Sequence, residues 1–170
     1  MNNITLHEWQ AWVIKEIDKS IEFRNKEENQ SLSDYSLNKA SQIKIKLPKG
    51  SGHTFLTAYL SMTKDAVIIN TDIDHWEEIA SYRREIDNVQ NKIDGEPPLV
   101  STIVSVFELF YAIHHATLVN PPILLLSTTE TLKKRISAQS IVIVDNASGI
   151  PSIVEEFILA VARGPVVFLD

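Results

Sequence analysis

Five short runs rich in Ile, Val and Leu, separated by longer stretches with helical periodicity, constrain the fold of this chain more than any other feature. Each run is bounded by turn or polar residues, which is typical of buried strands. Strands that alternate with helices pair in parallel through right-handed crossovers, so that helices cover both faces of the sheet. The sequence therefore predicts an α/β fold with three layers and a mainly parallel five-stranded sheet. The predicted strands are Gln42–Leu47, Ala66–Asn70, Ile123–Ser127, Ile141–Asp145 and Val166–Leu169.

The stretches around these runs follow the helical repeat. In the first of them, apolar residues recur at every fourth position from Trp9 to Ile21, which indicates an amphipathic helix that opens at a Thr5 cap. The polar segment Asn25–Ser41 has few apolar residues to bury and is interpreted as a long loop or a short helical linker. The predicted helices are Thr5–Arg24, His53–Met62, His75–Gln90, Ser101–Ala116, Thr129–Ile136 and Ser152–Ala162.

Composition limits the classes of function. The chain has 170 residues, 44% of them apolar, which is enough to bury one good core. We expect a single domain, with an N-terminal helix and polar linker over residues 1–41 and the core over residues 42–170. A net charge of -6 gives no sign of a protein that coats nucleic acid. The absence of cysteine excludes disulfides, thiolate chemistry and the common cysteine-based zinc sites.

The sequence shows no signal for export or membrane insertion. The N-terminus lacks the positive start and apolar run of a signal peptide. The most apolar window, Leu99–Val119, is interrupted by Glu108 and by two histidines, and such groups are costly in lipid. We therefore expect a buried helix there, in a cytoplasmic protein without a membrane partner.

The segment Leu47–Thr54, LPKGSGHT, is almost a phosphate-binding loop. It follows a predicted strand and precedes a predicted helix, the setting in which backbone N–H groups converge on a phosphate. Thr54 occupies the place of the hydroxyl that holds magnesium. The segment differs from the phosphate-binding consensus G-x-x-x-x-G-K-[ST] at two positions. Leu47 replaces the first glycine, and His53 replaces the lysine. The predicted nucleotide-binding residues are Pro48, Lys49, Gly50, Ser51, Gly52, His53 and Thr54.

The run Ile141–Asp145, IVIVD, is the predicted partner strand of this loop. Nucleotide hydrolases place an Asp that meets magnesium at the end of such a strand, usually followed by a Glu that activates the attacking water. Asp145 fits the first role, whereas Asn146 stands in the position of the Glu. If a nucleotide binds, Thr54 and Asp145 are the predicted magnesium ligands.

The order of these motifs resembles the ATPase domain of phage large terminases, the DNA-packaging motors, and more distantly the first motor domain of superfamily 2 helicases. The resemblance covers roughly residues 5–70 and 120–170 and rests on HEWQ, LPKGSGHT, AVIINT, IVIVDNASGIP and VVFLD. In terminases the loop often lacks its first glycine and carries a basic residue four positions before the lysine, and Leu47 and Lys49 match that variant. The resemblance implies a P-loop NTPase fold with Mg-ATP or Mg-ADP as ligand. It also implies a viral source and hence the host cytoplasm.

The two departures favour a protein without catalysis. His53 is shorter than lysine and mostly neutral at pH 7, and Asn146 cannot act as a base. We expect a degenerate NTPase that binds nucleotide weakly and serves as a binding, regulatory or assembly protein for a protein partner, such as a related motor. The alternative is a slow Mg-dependent ATPase acting on DNA, with Lys49, His53 and Asn146 as the catalytic candidates. An assembly subunit that never meets a nucleotide would show a side chain plugging the pocket.

Two further clusters have competing interpretations. The acids beside His75 could hold a metal ion, although acids at a helix start are the preferred explanation; they are Asp72, Asp74, Glu77 and Glu78. Basic residues on two predicted helices could bind nucleic acid, although a solvated helix face also explains them; they are Arg83, Arg84, Lys133, Lys134 and Arg135.

Overall fold

The structure is a computed structural model that describes residues 4–70, 74–90, 102–105, 113, 123–138 and 140–170. The helices are α1 (Glu8–Asn25), α2 (Asp34–Ser41), α3 (His53–Thr63), α4 (Asp74–Gln90), α5 (Ile123–Ser137) and α6 (Ser152–Val161). The strands are β1 (Ile43–Ile45), β2 (Ala66–Asn70), β3 (Thr102–Ser105), β4 (Ile141–Asp145) and β5 (Val166–Leu169). Short 3-10 turns lie at Glu27–Asn29 and Ala147–Gly149.

Most predicted elements are present with small changes at their ends. Strands β2, β4 and β5 have the predicted bounds, and β1 is the central part of the predicted first strand. Helix α1 begins at Glu8 rather than near Thr5, because the Gln10 side chain accepts a hydrogen bond from the His7 backbone N–H at 2.9 Å. The polar linker is helical in part, since it contains a 3-10 turn and α2.

The predicted strand at Ile123–Ser127 is wrong, because these residues form the first turns of α5. Three consecutive leucines within this run favour a helix over a strand, and two prolines precede it in the sequence, as is common at helix starts. An apolar run of this length does not distinguish a strand from a buried helix. Four of the five predicted strands are therefore present in the sheet.

The predicted helix Ser101–Ala116 is wrong at its start, because Thr102–Ser105 is strand β3. Its central residues Ile103 and Val104 are β-branched, and such side chains favour strands. Ile113 is helical and buried, and the rest of this prediction lies outside the described residues. No helix in the described ranges is long and apolar enough to cross a membrane.

The strands form one parallel sheet in the order β1-β5-β4-β2-β3. Every residue of β2, β4 and β5 is buried, as expected for the central strands of a sheet covered on both faces. Strand β1 lies at an edge, where Lys44 is exposed and its Nζ lies 2.6 Å from Glu155. Lys44 thus lies at a sheet edge and is paired with α6.

Helices pack on both faces of the sheet. On one face, α5 and α6 cover β2, β4 and β5 through a core that includes Ile136 and Ile158. On the other face, α1 and α3 cover β1, β4 and β5, with Val13, Ile17 and Leu56 at the centre. Helix α4 joins α3 over β2 on this second face. These layers place the start of α3 and the start of α4 above the same edge of the sheet.

The strand order creates a switch point between β2 and β4. From β2 the chain continues outward to β3, whereas from β4 it continues in the opposite direction to β5. The chain therefore runs to opposite sides of the sheet after these neighbouring strands, and open α/β sheets bind ligands in the crevice outside the carboxyl ends of such strands. Asn70 and Asp145, the last residues of β2 and β4, are register partners at this point.

Candidate functional site

The predicted phosphate loop leads from β1 into α3 through a tight turn. The Ser51 backbone N–H donates to the Pro48 carbonyl at 3.1 Å, and Gly50 has φ of 81°, as a type II turn requires at its third residue. Gly52, the residue before α3, also has a positive φ, 88°. Both glycines of the motif are thus needed for conformations that other residues adopt only with strain.

Helix α1 holds this loop in place through one side chain. Gln10 is buried, and its Nε2 donates to the Gly52 carbonyl at 3.1 Å. The Gly52 carbonyl also accepts the backbone N–H of Leu56, the first hydrogen bond of α3. Gln10 therefore fixes the N-terminus of α3, a role that the sequence pattern HEWQ did not reveal.

Three side chains from different elements converge on the carboxyl end of β4. His53 Nε2, at the start of α3, lies 3.8 Å from Asp145 Oδ1, and His75 Nε2, on α4, lies 3.8 Å from Asp145 Oδ2. The two imidazole rings stack with their centroids 5.6 Å apart and an interplanar angle of 11°. One ligand atom from each of the three residues lies within 4.8 Å of the other two.

Asp145 is fully buried beneath these rings. Neither of its oxygens has a hydrogen-bond partner at ordinary distance among the described residues, and the same is true of His53 Nε2. Burial raises the pKa of the Asp145 carboxyl, because the charged form is poorly solvated. Smaller opposing effects come from His53, His75, the backbone N–H of Asn146 and the Thr57 hydroxyl. The charged form of Asp145 is therefore favoured only when a positive charge lies beside it.

Thr54, a predicted magnesium ligand, turns toward a histidine. Its hydroxyl lies 3.1 Å from His75 Nε2, in hydrogen-bond distance, and the residue is buried at the first turn of α3. Thr54 and Asp145 are thus both in contact with His75. The structure brings the two predicted metal ligands to one place, with His75 between them.

The other predicted site residues are not part of the histidine–aspartate cluster. Pro48, Lys49 and Gly50 are exposed on the outer side of the turn. Ser51 is half-buried, and its hydroxyl has no hydrogen-bond partner among the described residues. Asn146 follows Asp145 in the left-handed conformation, φ 55° and ψ 52°, and begins the 3-10 turn.

Sequence reasoning considered His75 only as a neighbour of acidic residues. Of those acids, Asp72 lies outside the described residues, and Glu77 and Glu78 are exposed. Among the acids whose side chains the structure describes, Glu78 approaches the histidine, with Oε2 3.9 Å from Nδ1. A signal for the histidine was its position just after β2, since the carboxyl ends of parallel strands meet at one edge.

No protein-family model and no curated protein matches this chain.

Proposed function

We propose that this chain is a catalytically degenerate P-loop NTPase-like protein, similar to a terminase or helicase ATPase core, that acts as a binding, regulatory or assembly protein. One observation carries the proposal. His53 stands in the place of the loop lysine, and together with His75 it covers Asp145, the residue that would meet magnesium. In this proposal the two imidazoles act as the side-chain plug expected of an assembly subunit.

The charges at this site disfavour a bound triphosphate. A phosphate loop neutralises its ligand with a lysine, and a charge-assisted hydrogen bond contributes about 1.5–3 kcal/mol. Lys49 is exposed at the turn, and no ion pair involving it is found within the described residues. With Asn146 in place of the catalytic Glu, no carboxylate follows Asp145 to orient an attacking water.

The loop backbone itself supports a residual nucleotide site. Gly50 and Gly52 adopt positive φ, and no side chain caps the N-terminus of α3. Uncapped N–H groups at a helix start attract anions. Weak binding of Mg-ATP or Mg-ADP by the backbone, and slow hydrolysis with Lys49 at the phosphates, is therefore the second candidate function.

Calorimetric titration with ATP and ADP, each with magnesium, tests the proposal. The natural chain should show no sub-millimolar binding, whereas His53→Lys combined with His75→Ala should gain affinity by roughly tenfold or more, as restored charge-assisted contacts predict. His75→Ala alone is the matched control, because it opens the space without restoring the charge. Sub-millimolar binding by the natural chain, lost in Lys49→Ala, would instead establish the ATPase candidate and call for turnover assays with and without DNA.

The partner is tested separately. We propose a protein partner, with nucleic acid as the alternative, and the exposed residue Lys49 lies on the surface that such a partner would meet. Crosslinking through a photoreactive amino acid introduced at position 49, followed by mass spectrometry, should yield one specific protein adduct in cells that contain the partner. An adduct to DNA or RNA would contradict the assignment to a protein.

A further inference from the structure

We propose that His53, His75 and Asp145 bind one Zn²⁺ ion, with a fourth position open to water or to an outside ligand. The three residues come from α3, α4 and β4 and meet at the switch point of the sheet. Their ligand atoms already face one another across distances that no hydrogen bond spans. The proposal goes beyond the proposed function, since it does not require the loop to bind nucleotide.

The burial of Asp145 is the independent observation that points to a cation. The residue has 0% exposure, both oxygens face imidazole nitrogens at 3.8 Å, and neither oxygen has a hydrogen-bond partner at ordinary distance among the described residues, so the Thr57 hydroxyl and the Asn146 N–H compensate it only weakly. A buried carboxylate without a close partner is strongly unfavourable. A metal ion placed among these atoms would compensate the charge of the Asp145 carboxylate. It would also give the buried His53 Nε2 a partner.

The spacing of the ligand atoms suits an ion of this size. Zinc binds imidazole nitrogen and carboxylate oxygen at about 2.0–2.2 Å, so tetrahedral ligand atoms lie about 3.4 Å apart. The two histidine-to-carboxylate distances of 3.8 Å need to shorten by only a few tenths of an ångström to meet this value. All three ligand atoms lie within 4.8 Å of one another, so the widest pair would have to approach by at most about 1.4 Å to reach this spacing.

The donor set selects the metal. Two imidazoles and one carboxylate match the three protein ligands of open zinc sites, in which the fourth position is held by water. Magnesium prefers oxygen ligands in an octahedral shell that keeps several waters, so two nitrogen ligands disfavour it. The exchange of the loop lysine for His53 thus replaces a phosphate-binding cation with a metal ligand.

The surroundings of His75 prepare it as a ligand. Thr54 Oγ1 lies 3.1 Å from Nε2, and zinc would displace this hydrogen bond, because the nitrogen cannot bind the hydroxyl and the metal at once. On the other side of the ring, Glu78 Oε2 lies 3.9 Å from Nδ1, on the next turn of α4. A carboxylate near the second nitrogen is the usual support of a zinc-bound histidine, since it fixes the tautomer and raises the basicity of the ligating nitrogen.

The test is calorimetric titration of ZnCl2 into the tag-free, EDTA-treated chain, with MgCl2 as the comparison ion. We expect one zinc per chain, no heat from magnesium at the same concentration, and a rise in Tm of roughly 5–10 °C at a hundredfold excess over Kd. His53→Asn, His75→Gln and Asp145→Asn should each weaken zinc binding at least tenfold, and Glu78→Gln by a smaller factor. His7→Gln, which removes an exposed imidazole outside the cluster, should leave the affinity unchanged.

Each contrary result overturns the proposal. Absence of a one-to-one zinc isotherm at 100 µM protein would do so, as would unchanged affinity in the three ligand variants. If a variant does not fold, Co²⁺ bound to the natural chain gives a second measurement, because visible absorption bands report a four-coordinate nitrogen and oxygen shell. Octahedral, weak cobalt spectra would contradict the site. Absence of zinc binding would not change the expected result of the nucleotide titration with the His53→Lys, His75→Ala variant. The two proposals can therefore be rejected independently.

Discussion

Two fully buried polar side chains, Asn38 and Asp145, lie at opposite sides of this molecule and differ in how they are satisfied. Asn38 Nδ2 donates to the carbonyls of Leu159 and Ala162 at 2.9 and 2.7 Å, and its Oδ1 accepts from Arg24 at 2.8 Å. Asp145 has two oxygens that face imidazoles at 3.8 Å. A satisfied buried group stabilises and specifies the fold, whereas an unsatisfied one points to a ligand.

The comparison predicts its largest effect at Asn38. Asn38→Ala removes the hydrogen bonds to two carbonyls at the end of α6 and the acceptor of Arg24 Nη1, whose guanidinium keeps Asp34 and the Arg163 carbonyl, so the free energy of unfolding should fall by about 2–4 kcal/mol. Urea denaturation measures this loss. Asn29→Ala, which removes one hydrogen bond to the Phe23 carbonyl, is the control and should cost about 1 kcal/mol. If both variants lose the same free energy of unfolding, the hydrogen bonds of Asn38 contribute no more to stability than the single hydrogen bond of Asn29.

The loop backbone gives a smaller effect that is separate from the buried carboxylate. Gly52→Ala places a side chain at φ 88°, which costs about 1–2 kcal/mol, and its Cβ would lie 3.5 Å from Gln10 Nε2, an ordinary contact. Gly50→Ala has φ 81° and meets nothing within 4 Å, so it should cost a similar amount. Thermal unfolding of both variants tests this. A cost at Gly52 that greatly exceeds the cost at Gly50 would mean that the Gln10 contact tolerates no displacement.

Asp145→Asn should change stability in the opposite direction to Asn38→Ala. In metal-free buffer at pH 7 the variant removes a buried charge, and we expect a gain of up to about 1 kcal/mol. Because the folded pKa of Asp145 is raised, its ionisation destabilises the fold as pH rises through that pKa. The gain should therefore be larger at pH 7 than at pH 4, as measured by urea titration at both values. A loss at pH 7 would show that the imidazoles already satisfy the carboxylate.

The smallest effect is expected where polar groups are paired in water. The Tyr35 hydroxyl donates to Glu156 at 2.6 Å, and this hydrogen bond raises the pKa of the phenol. Glu156→Gln should lower that pKa toward its ordinary value without a measurable change in the urea midpoint, since exposed pairs contribute little. Ultraviolet titration against the Tyr35→Phe variant isolates the signal. A shifted urea midpoint would show that the Tyr35–Glu156 hydrogen bond contributes to stability, as the hydrogen bonds of Asn38 are expected to do.

Local sequence pattern was sufficient to predict four of the five strands and the position of the loop between β1 and α3. Runs such as Ala66–Asn70 and Ile141–Asp145 are buried on both faces, and their uniform apolar character is visible in the sequence. The rule that a short apolar run is a buried strand failed at Ile123–Ser127, because a run of leucines is equally compatible with a buried helix. Strand Thr102–Ser105 was missed because it lies within a longer apolar stretch, which was interpreted as one buried helix.

The candidate site was predictable only in part. The loop and Asp145 carried recognisable motifs, so their proximity was expected from the chain. The role of His75 depends on the pairing of β2 with β4, which no local pattern encodes, and on where α4 begins. Gln10 likewise acts through a contact between residues 42 positions apart in the sequence. Such long-range contacts follow from topology rather than from motifs.

The edge position of β1 has a consequence for the order in which the chain can assemble. Among the described strands, β1 pairs with β5 alone, through Ile43 with Val167 and Ile45 with Leu169. The segment that carries the loop therefore joins the sheet only after a strand more than a hundred residues later has been made. During synthesis from the N-terminus, β2 and β4 can pair first, and the loop is fixed above them last. In a ribosome-bound chain that stops before residue 166, β1 would lack its strand partner, and the loop would be held through Gln10 and α3 rather than through the sheet.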